Sequence, residues 1–464
     1  MQTDVPATAW LGAIDPRGGP LFLQIVQSLE DGIAAGRLHA GDRLTPQRAV
    51  AAHLGVDLTT VTRAYAEARK RHLLVAEGAR GTFVAARKMD LQAMVDLSLN
   101  IPPPPTEPDL HALLKHGLAQ MLLRTDVDLL MTYHLGGGSH ADRAAGARWL
   151  APMLGDIGPE RVVASPGSQA ALSALILAST RHGDVLLCEP LVYPGFRAAA
   201  AQLGRRVEDV AIDDEGMLPS ALEQVANRTG ARLLYLNPTI QNPTTVTMPE
   251  RRRRAIAKTA ARLDLQIIED DPYWLLADDA PPPLACLAPG HVHYVSTLSK
   301  CLSPGLRTAF VVSPDAARQA AFLSALRSFS LMRAPLTAVL VTQWLHDGTA
   351  QRVLAGVRAE ARARQRLAAH VFGTGLAHKH MSRDGIHLWL VLPGYWTAEA
   401  FTRAARDEGL SITPSNAFSS GSSDVNAIRI SLGGGRDKKR IALALSRLSG
   451  LLASKPSTRH ATVI

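Results

Sequence analysis

One lysine, Lys300, most constrains the fold and the chemistry open to this chain. It follows the short apolar run 293–295, which predicts the end of a buried strand, and it lies among small hydroxyl residues with Arg307 just downstream. Burial disfavours the charged ammonium, so such a lysine has a lowered pKa and becomes nucleophilic. An arginine in the same segment can clamp a phosphate with its forked guanidinium. An amine beside a phosphate clamp indicates pyridoxal phosphate held as a Schiff base on Lys300.

Further segments supply groups that such a cofactor requires. Asp270 follows a strand-like apolar run, at the sheet edge where open α/β sheets bind ligands, and its carboxylate can pair with a pyridine nitrogen. Tyr273 and Asn242 can donate hydrogen bonds to the ring's 3′ oxygen. Ser168 opens an Ala/Leu-rich helix whose first N–H groups favour a phosphate. Tyr193 can stack on a pyridine ring.

Each of these residues also has a simpler structural interpretation. A lone tyrosine such as Tyr193 is commonly a core residue, and residues 270–272 have turn composition. Ser168 can be a helix cap. Taken alone, Arg429 is most simply one of many solvated arginines. Several segments in one order with compatible spacings favour a cofactor site over these separate interpretations.

The ordered segments resemble the fold-type-I aminotransferases, closest to the kynurenine and aminoadipate aminotransferase branch, over residues 96–450. The resemblance implies a large doubly wound α/β domain followed by a small C-terminal α+β domain. It implies a Schiff base on Lys300 and these contacts: phosphate with Ser168, Gln169, Ser299, Arg307 and Thr297, ring stacking with Tyr193, the 3′ oxygen with Asn242 and Tyr273, and the pyridine nitrogen with Asp270 rather than Asp271.

The resemblance assigns two further residues. Arg429 matches an arginine that grips a substrate carboxylate, and Tyr133 matches a tyrosine that reaches the phosphate bound by the partner subunit of a homodimer. Two positions depart from the family pattern. Thr245 stands where a glycine usually follows Asn-Pro-Thr, and Ala309 stands where a glycine often follows the arginine. Neither departure removes a cofactor contact, and both are expected to alter the local backbone.

The first 88 residues follow a different pattern. Apolar residues at helical spacing predict a helix over 21–35, a second helix over 46–54, and a third from Leu58 to about His72 that Asp57 caps. The runs 73–77 and 82–85 predict a hairpin. Three helices and a hairpin are the elements of an α+β winged helix-turn-helix.

The charge distribution supports DNA contact in this region. Residues 1–42 contain two Lys or Arg and five Asp or Glu, whereas residues 43–88 contain nine and three. Binding to DNA phosphates requires a positive surface of this kind. The basic run 69–71 fits favourable charge at a helix C-terminus equally well. The expected DNA contacts are Arg48, Thr59, Thr62, Arg63 and Arg80.

The motifs at 41–48, 59–65 and 80–84 resemble the GntR family. A GntR-type head joined to an aminotransferase-like body is the layout of the MocR regulators, which the chain resembles along nearly its whole length. The expected domains are a head over 18–88, a short linker over 89–95 and a body over 96–455. The resemblance implies operator DNA and a second copy of the chain as partners.

These features predict a PLP-dependent transcriptional regulator that senses an amine or amino acid by aldimine exchange at Lys300. An alternative is a working aminotransferase whose head regulates its own gene, because all the catalytic groups are present. In a third hypothesis the body is only a dimerisation scaffold, and the intact set of cofactor residues argues against it.

Length and composition agree with a large intracellular protein of several domains. The chain has 464 residues, of which 47% are hydrophobic, enough for a small head and a two-domain body. No run is long enough to span a membrane and no charged-then-apolar leader is present, which predicts a cytoplasmic location. The three cysteines have neither metal nor disulfide spacing, and the histidines at 291 and 293 lack a third ligand, so no metal site is expected.

Overall fold

The computed structural model of the chain contains two units that meet in sequence at Val95. It describes residues 10–12, 15, 19–35, 37–39, 41–71, 73–76, 81–85, 95–134, 136–376, 384–419, 425–435 and 437–455. The predicted DNA contact Arg80 and most of the predicted linker lie outside the described residues. No helix in the described part is both long enough and apolar enough to cross a bilayer.

The first unit contains the three helices and the hairpin that the sequence predicts. The helices are α1 (Leu21–Ala34), α2 (Gln47–Leu54) and α3 (Leu58–Lys70), and β1 (Leu74–Ala76) pairs antiparallel with β2 (Thr82–Val84). Asp57 caps α3, because its carboxylate accepts a hydrogen bond from the Thr59 amide at 2.7 Å. The helix ends slightly earlier than predicted, with Arg71 as its C-cap.

Apolar spacing places the core of this unit as expected. Val61, Ala64 and Ala68 recur at helical spacing along α3 and are buried against α1 and α2. Tyr65 is also buried, and its hydroxyl donates to the Thr45 carbonyl at 2.7 Å, which ties α3 to the segment before α2. The opposite face of α3 is left to solvent.

The second unit alternates helices and strands. Its strands are β3 (Val95–Asp96), β4 (Val162–Ser165), β5 (Val185–Cys188), β6 (Arg206–Asp209), β7 (Ile212–Asp213), β8 (Gly216–Met217), β9 (Leu233–Leu236), β10 (Gln266–Asp270), β11 (Val292–Thr297), β12 (Ala309–Val312), β13 (His387–Val391), β14 (Leu410–Ser411), β15 (Thr413–Pro414) and β16 (Ala427–Ser431). Its helices are α4 (Leu110–Arg124), α5 (Val127–Leu130), α6 (His140–Leu154), α7 (Ser168–Ser179), α8 (Pro194–Gln202), α9 (Pro219–Thr229), α10 (Glu250–Arg262), α11 (Leu284–Leu287), α12 (Ala316–Phe329), α13 (Pro335–His346), α14 (Thr349–Leu376), α15 (Ala398–Asp407) and α16 (Lys438–Ala453).

The large domain is a seven-stranded sheet in the order β4-β12-β11-β10-β9-β5-β6, in which β12 alone runs antiparallel to its neighbours. Adjacent residues of β9 show how the sheet is covered. Leu234 packs into a cluster with α9 and α10, whereas Tyr235 packs into a cluster with α7, α8 and α12. Because successive side chains of a strand point to opposite faces, the sheet has helices on both sides, which is the predicted doubly wound architecture.

The small domain contains the antiparallel sheet β13-β16-β15, packed against α14, α15 and α16. The first strand of the unit joins this domain, because β3 pairs in parallel with β14 and Val95 lies opposite Leu410. Leu97 still packs in the core of the small domain, so the chain passes from the small domain into the large one between Leu97 and α4. That crossing segment runs over the candidate site.

Candidate functional site

Lys300 lies just after β11, at the carboxyl edge of the large sheet. Its ammonium donates a hydrogen bond to the Asn100 carbonyl. Burial, followed by the positive charge of Arg429, lowers the pKa of Lys300 to about 8, and the Asp270 carboxylate opposes that shift. A substantial fraction of this amine is therefore neutral near physiological pH, as a nucleophilic lysine requires.

Asp270 is the last residue of β10, the strand beside β11. Its Oδ2 accepts a hydrogen bond from the Tyr235 hydroxyl at 2.8 Å. Its Oδ1 is buried and has no hydrogen-bond partner in the described part of the chain. Desolvation raises the pKa of Asp270 to about 7, while Tyr235 and Lys300 act in the opposite direction. A buried oxygen without a donor fits the protonated nitrogen of a pyridine ring.

The neighbouring acid Asp271 lies on the other face of the sheet. Its Oδ2 accepts hydrogen bonds from Thr239 at 3.1 Å and from Tyr294 at 3.4 Å. Burial raises the pKa of Asp271, and the nearby Arg253 lowers it. Strand alternation therefore separates the two acids, and Asp270 is the one that faces Lys300.

Tyr273 and Asn242 follow β10 and β9, the strands next to Lys300. The Tyr273 hydroxyl accepts a hydrogen bond from the Asn100 amide at 2.7 Å, and the side chain is buried. The Asn242 side-chain oxygen accepts from Arg429 at 2.8 Å, which leaves its Nδ2 group as the donor it can offer a ligand. Both residues thus bring donors to the region of Lys300.

The start of α7 and the segment after Lys300 form a cradle suited to a phosphate. The N-cap of α7 is Gly167, with φ of 97°, so Ser168 is the first helical residue and makes no side-chain cap. A Cβ at Gly167 would lie 2.8 Å from Arg307 Nη2, so a glycine there lets the arginine approach the helix start. Helix N–H groups beside a guanidinium favour an anion.

Two of the side chains predicted to bind the phosphate, those of Thr297 and Gln169, already make hydrogen bonds within the protein. The Thr297 hydroxyl donates its one proton to the Thr308 carbonyl at 3.2 Å, so it accepts from the Ser299 hydroxyl at 3.1 Å and from the Ser299 backbone N–H at 3.3 Å. Gln169 donates to the Gly195 carbonyl at 2.9 Å and so holds the first turn of α8, which follows Tyr193. Thr297 and Gln169 therefore brace the cradle through bonds within the protein.

Tyr193 stands at the N-terminus of α8 and is half-buried. Burial raises the pKa of its phenol, and the negative charge of Asp270 adds to the shift. Gln169 of α7 donates to Gly195 in the first turn of α8, which holds the start of α8, and Tyr193 with it, beside the cradle. A stacking position for Tyr193 is compatible with that arrangement.

Arg429 lies in the middle of β16 and is 7% exposed. Besides Asn242, its guanidinium donates to the Ser98 carbonyl and to Thr413 Oγ1, and it lies over the Phe418 ring at 4.9 Å. Its Nε is buried with no hydrogen-bond partner among the described residues. The arginine thus keeps an unused N–H donor inside a buried setting.

Tyr133 is placed apart from the other predicted residues. Its side chain is 78% exposed and lines a cavity of about 610 Å³ together with Pro166 and Arg327. Pro166 directly precedes the α7 cradle, so this open surface adjoins the predicted phosphate position. An exposed tyrosine beside that position is compatible with a role toward a second copy of the chain.

Three residues of the site were absent from the sequence predictions. Asn100 contacts both Lys300 and Tyr273, and Tyr235 binds Asp270. His387 packs against the Tyr273 ring at 5.7 Å, and burial followed by the charge of Arg429 lowers its pKa to about 3. A tyrosine within a buried strand was a weak signal for Tyr235, because buried phenols need a partner. Asn100 and His387 are distant in sequence and carried no local signal.

The predicted DNA contacts of the first unit lie at the surface of α2 and α3. Arg48, Thr59, Thr62 and Arg63 are all exposed. The Thr59 hydroxyl donates to Asp57, and the Thr62 hydroxyl donates to Gln47 at 2.9 Å. The Arg63 guanidinium stacks over the Phe22 ring at 4.0 Å. The two arginines are therefore the more available phosphate donors on this face.

Comparison with known proteins agrees with the two-part architecture. Residues 21–84 match the family "Bacterial regulatory proteins, gntR family", and residues 95–448 match "Aminotransferase class I and II". The chain belongs to the MocR-type regulators of the GntR family. It is thus a transcriptional regulator with an aminotransferase-like body.

Individual relatives cover most of this regulator. It is 30% identical to the HTH-type transcriptional regulator TauR of Rhodobacter capsulatus, over 86% of this chain and 90% of that protein. It is also 30% identical to the vitamin B6 salvage pathway transcriptional repressor PtsJ of Salmonella typhimurium, over 82% and 87%.

A solved structure similar to the body is that of LysN, an alpha-aminoadipate aminotransferase of Thermus thermophilus complexed with N-(5′-phosphopyridoxyl)-L-leucine. The TM-score is 0.71 at 27% identity, covering 78% of this chain and 92% of LysN. The predicted fold, a winged helix-turn-helix followed by a fold-type-I body, is confirmed.

Proposed function

We propose that this regulator binds pyridoxal 5′-phosphate at Lys300 and uses the occupied site to sense a small amine that bears an acid group. The observation that carries the proposal is the set of groups around one buried amine. Lys300 has a lowered pKa, Asp270 has a buried oxygen without a donor, and Arg429 retains donor capacity nearby. The bound cofactor would supply an aldehyde that combines reversibly with primary amines.

The protein groups divide the work of holding such a cofactor. The start of α7, Ser299 and Arg307 would hold its phosphate, and Asp270 would keep a proton on its ring nitrogen. Tyr193 would cover the pyridine ring, while Asn242 and Tyr273 would donate hydrogen bonds to the ring's 3′ oxygen. Arg429 would bind the acid group of the effector.

The DNA-binding part of the proposal rests on the first unit. Arg48 and Arg63 would neutralise operator phosphates, with Thr59 and Thr62 on the same exposed face. Operator binding would place the protein's action in the cytoplasm. A homodimer would present two such heads, with Tyr133 of each subunit directed to the site of the other.

Covalent attachment to Lys300 is the decisive test. The purified protein is expected to be yellow, and sodium borohydride should fix one pyridoxyl group on Lys300, as peptide mass spectrometry would show. Lys300→Ala should carry no borohydride-stable adduct. Lys258, on the solvent side of α10, is a matched control, since Lys258→Ala should retain the adduct on Lys300. An adduct at another lysine in Lys300→Ala would overturn the assignment.

A working aminotransferase is the second candidate function. It is favoured by the presence of every polar group discussed above and by the likeness of the body to LysN. Mass spectrometry of the reaction mixture distinguishes the two functions, because turnover converts a stoichiometric excess of amino acid and keto acid. A pure sensor changes its absorption spectrum and its DNA affinity without that conversion.

A further inference from the structure

The segment after β3 brings Asn100 into contact with two key groups of the site. Its carbonyl accepts a hydrogen bond from Lys300 Nζ, and its side-chain Nδ2 donates to Tyr273 Oη at 2.7 Å. Asn100 is 8% exposed, so these contacts are made away from bulk water. A polar side chain in this position affects how Tyr273 can use its single proton.

His387 fixes which way the Asn100 amide faces. His387 Nε2 lies 3.4 Å from the Gln241 carbonyl, and an oxygen acceptor there requires the proton on Nε2. The lowered pKa keeps the ring neutral, so Nδ1 is an acceptor. Asn100 Nδ2 lies 3.4 Å from that Nδ1 and must present its N–H groups to it. The same NH₂ group then donates to Tyr273.

A phenol that accepts one hydrogen bond still has its own proton to donate. Tyr273 Oη accepts a hydrogen bond from Asn100. Among the described residues, it donates a hydrogen bond to no protein group. Its proton is therefore available to a ligand on the side away from Asn100.

We propose that Asn100 is a positioning residue that directs the Tyr273 hydroxyl proton toward the 3′ oxygen on the ring of the bound cofactor. This inference rests on the proposed function. A directed donor stabilises negative charge on that oxygen, so the lysine-bound chromophore loses its proton at lower pH. Asn100 thus acts through Tyr273 and has no direct contact with the cofactor ring in this scheme.

Other charged and titratable groups around Tyr273 and Lys300 set the baseline of that titration. They come from several elements, namely Asp270, Arg429, Arg307, Tyr193, Cys301 and His387. A substitution at Asn100 changes none of these residues. Because the Asn100 amide also contacts His387, the double variant with Tyr273→Phe is what assigns a shift in the pH midpoint to the Asn100–Tyr273 hydrogen bond.

The experiment is a pH titration of visible absorbance on the full-length protein loaded with pyridoxal 5′-phosphate. Asn100→Leu, which removes the amide at similar volume, should raise the midpoint by about half to one pH unit, the size expected for one hydrogen bond. Tyr273→Phe should raise it at least as far. The double variant should match Tyr273→Phe, because Asn100 acts through that hydroxyl. Asn416→Ala, which removes an exposed amide that donates to Glu399 at 2.8 Å, should leave the midpoint unchanged.

Two results would overturn the inference. One is an unchanged midpoint in Asn100→Leu, and the other is a shift that adds fully to that of Tyr273→Phe. Asn100→Ala is titrated in parallel, so a folding defect in the leucine variant does not remove the test. A wild-type protein without a lysine-bound chromophore would instead refute the proposed function itself, so the two failures are distinguishable.

Discussion

Arg429 offers the sharpest test of effector class. In Arg429→Ala the site loses a guanidinium that is 7% exposed and that a carboxylate can meet with two parallel hydrogen bonds. Truncating one partner of a buried charge pair costs about 2–5 kcal/mol, which corresponds to roughly 30- to 4,000-fold in affinity. The effector must also displace the Ser98 carbonyl from the same guanidinium. We therefore expect Arg429→Ala to lower the affinity for the acid-bearing effector by about 30- to 100-fold, near the lower end of that range.

The assay is a spectral titration with α-, β- and γ-amino acids and aminosulfonates, each compared with the amine that lacks the acid group. Wild type should bind the acid-bearing member of the effective pair more tightly, and Arg429→Ala should remove that preference while keeping the lysine-bound cofactor. Arg447→Ala, which removes an exposed arginine from α16, is the charge-matched control and should behave as wild type. The reasoning fails if wild type responds equally to both members of every pair and Arg429→Ala matches it.

Two further predictions follow from the head and from the lysine. Arg48→Ala and Arg63→Ala should each weaken operator binding and reduce the slope of log K against log salt concentration by about one, without changing the absorption spectrum. Operator affinity is measured by fluorescence anisotropy. An unchanged affinity in both variants would show that the DNA-binding face lies elsewhere. In the cofactor-free protein, the neutral Lys300 amine is the nucleophile, so the rate of pyridoxal phosphate uptake should rise with pH, reach half its maximum near pH 8 and level off above that value. A stopped-flow rate that stays flat between pH 6 and pH 9, roughly the window in which an amine of this pKa titrates, would contradict that lowered pKa.

The motif-bearing residues were predictable because consecutive strands are also neighbours in the sheet. β9, β10 and β11 lie side by side in parallel, so Asn242, Asp270 and Lys300 lie at or after strand ends that meet at one edge. Strand alternation similarly separates Asp270 from Asp271. Local sequence patterns were sufficient to predict that residues lie at one edge wherever strands that are consecutive in the sequence are also adjacent in the sheet.

Contacts between distant segments were not predictable in this way. Asn100 lies 200 residues from Lys300 and 173 from Tyr273, and the contacts form where the chain crosses from the small domain to the large one. His387 reaches the same place from β13. No periodicity or spacing in a single sequence identifies such pairs, because they depend on how the two domains of the body pack.

The two departures from the family pattern differ in physical consequence. Ala309 is a buried residue of regular strand β12, opposite Thr297, and nothing in its extended backbone requires a glycine. Thr245 has φ of 64°, in the left-handed region that costs an L-residue about 1–2 kcal/mol and that β-branched residues rarely adopt. Its backbone N–H donates to the Gln241 backbone carbonyl at 2.7 Å. The Gln241 backbone N–H donates to the Val246 carbonyl at 2.8 Å, so two backbone hydrogen bonds close the turn. These bonds offset the strain and hold the loop that carries Asn242, which is how a threonine can replace glycine there without displacing the site.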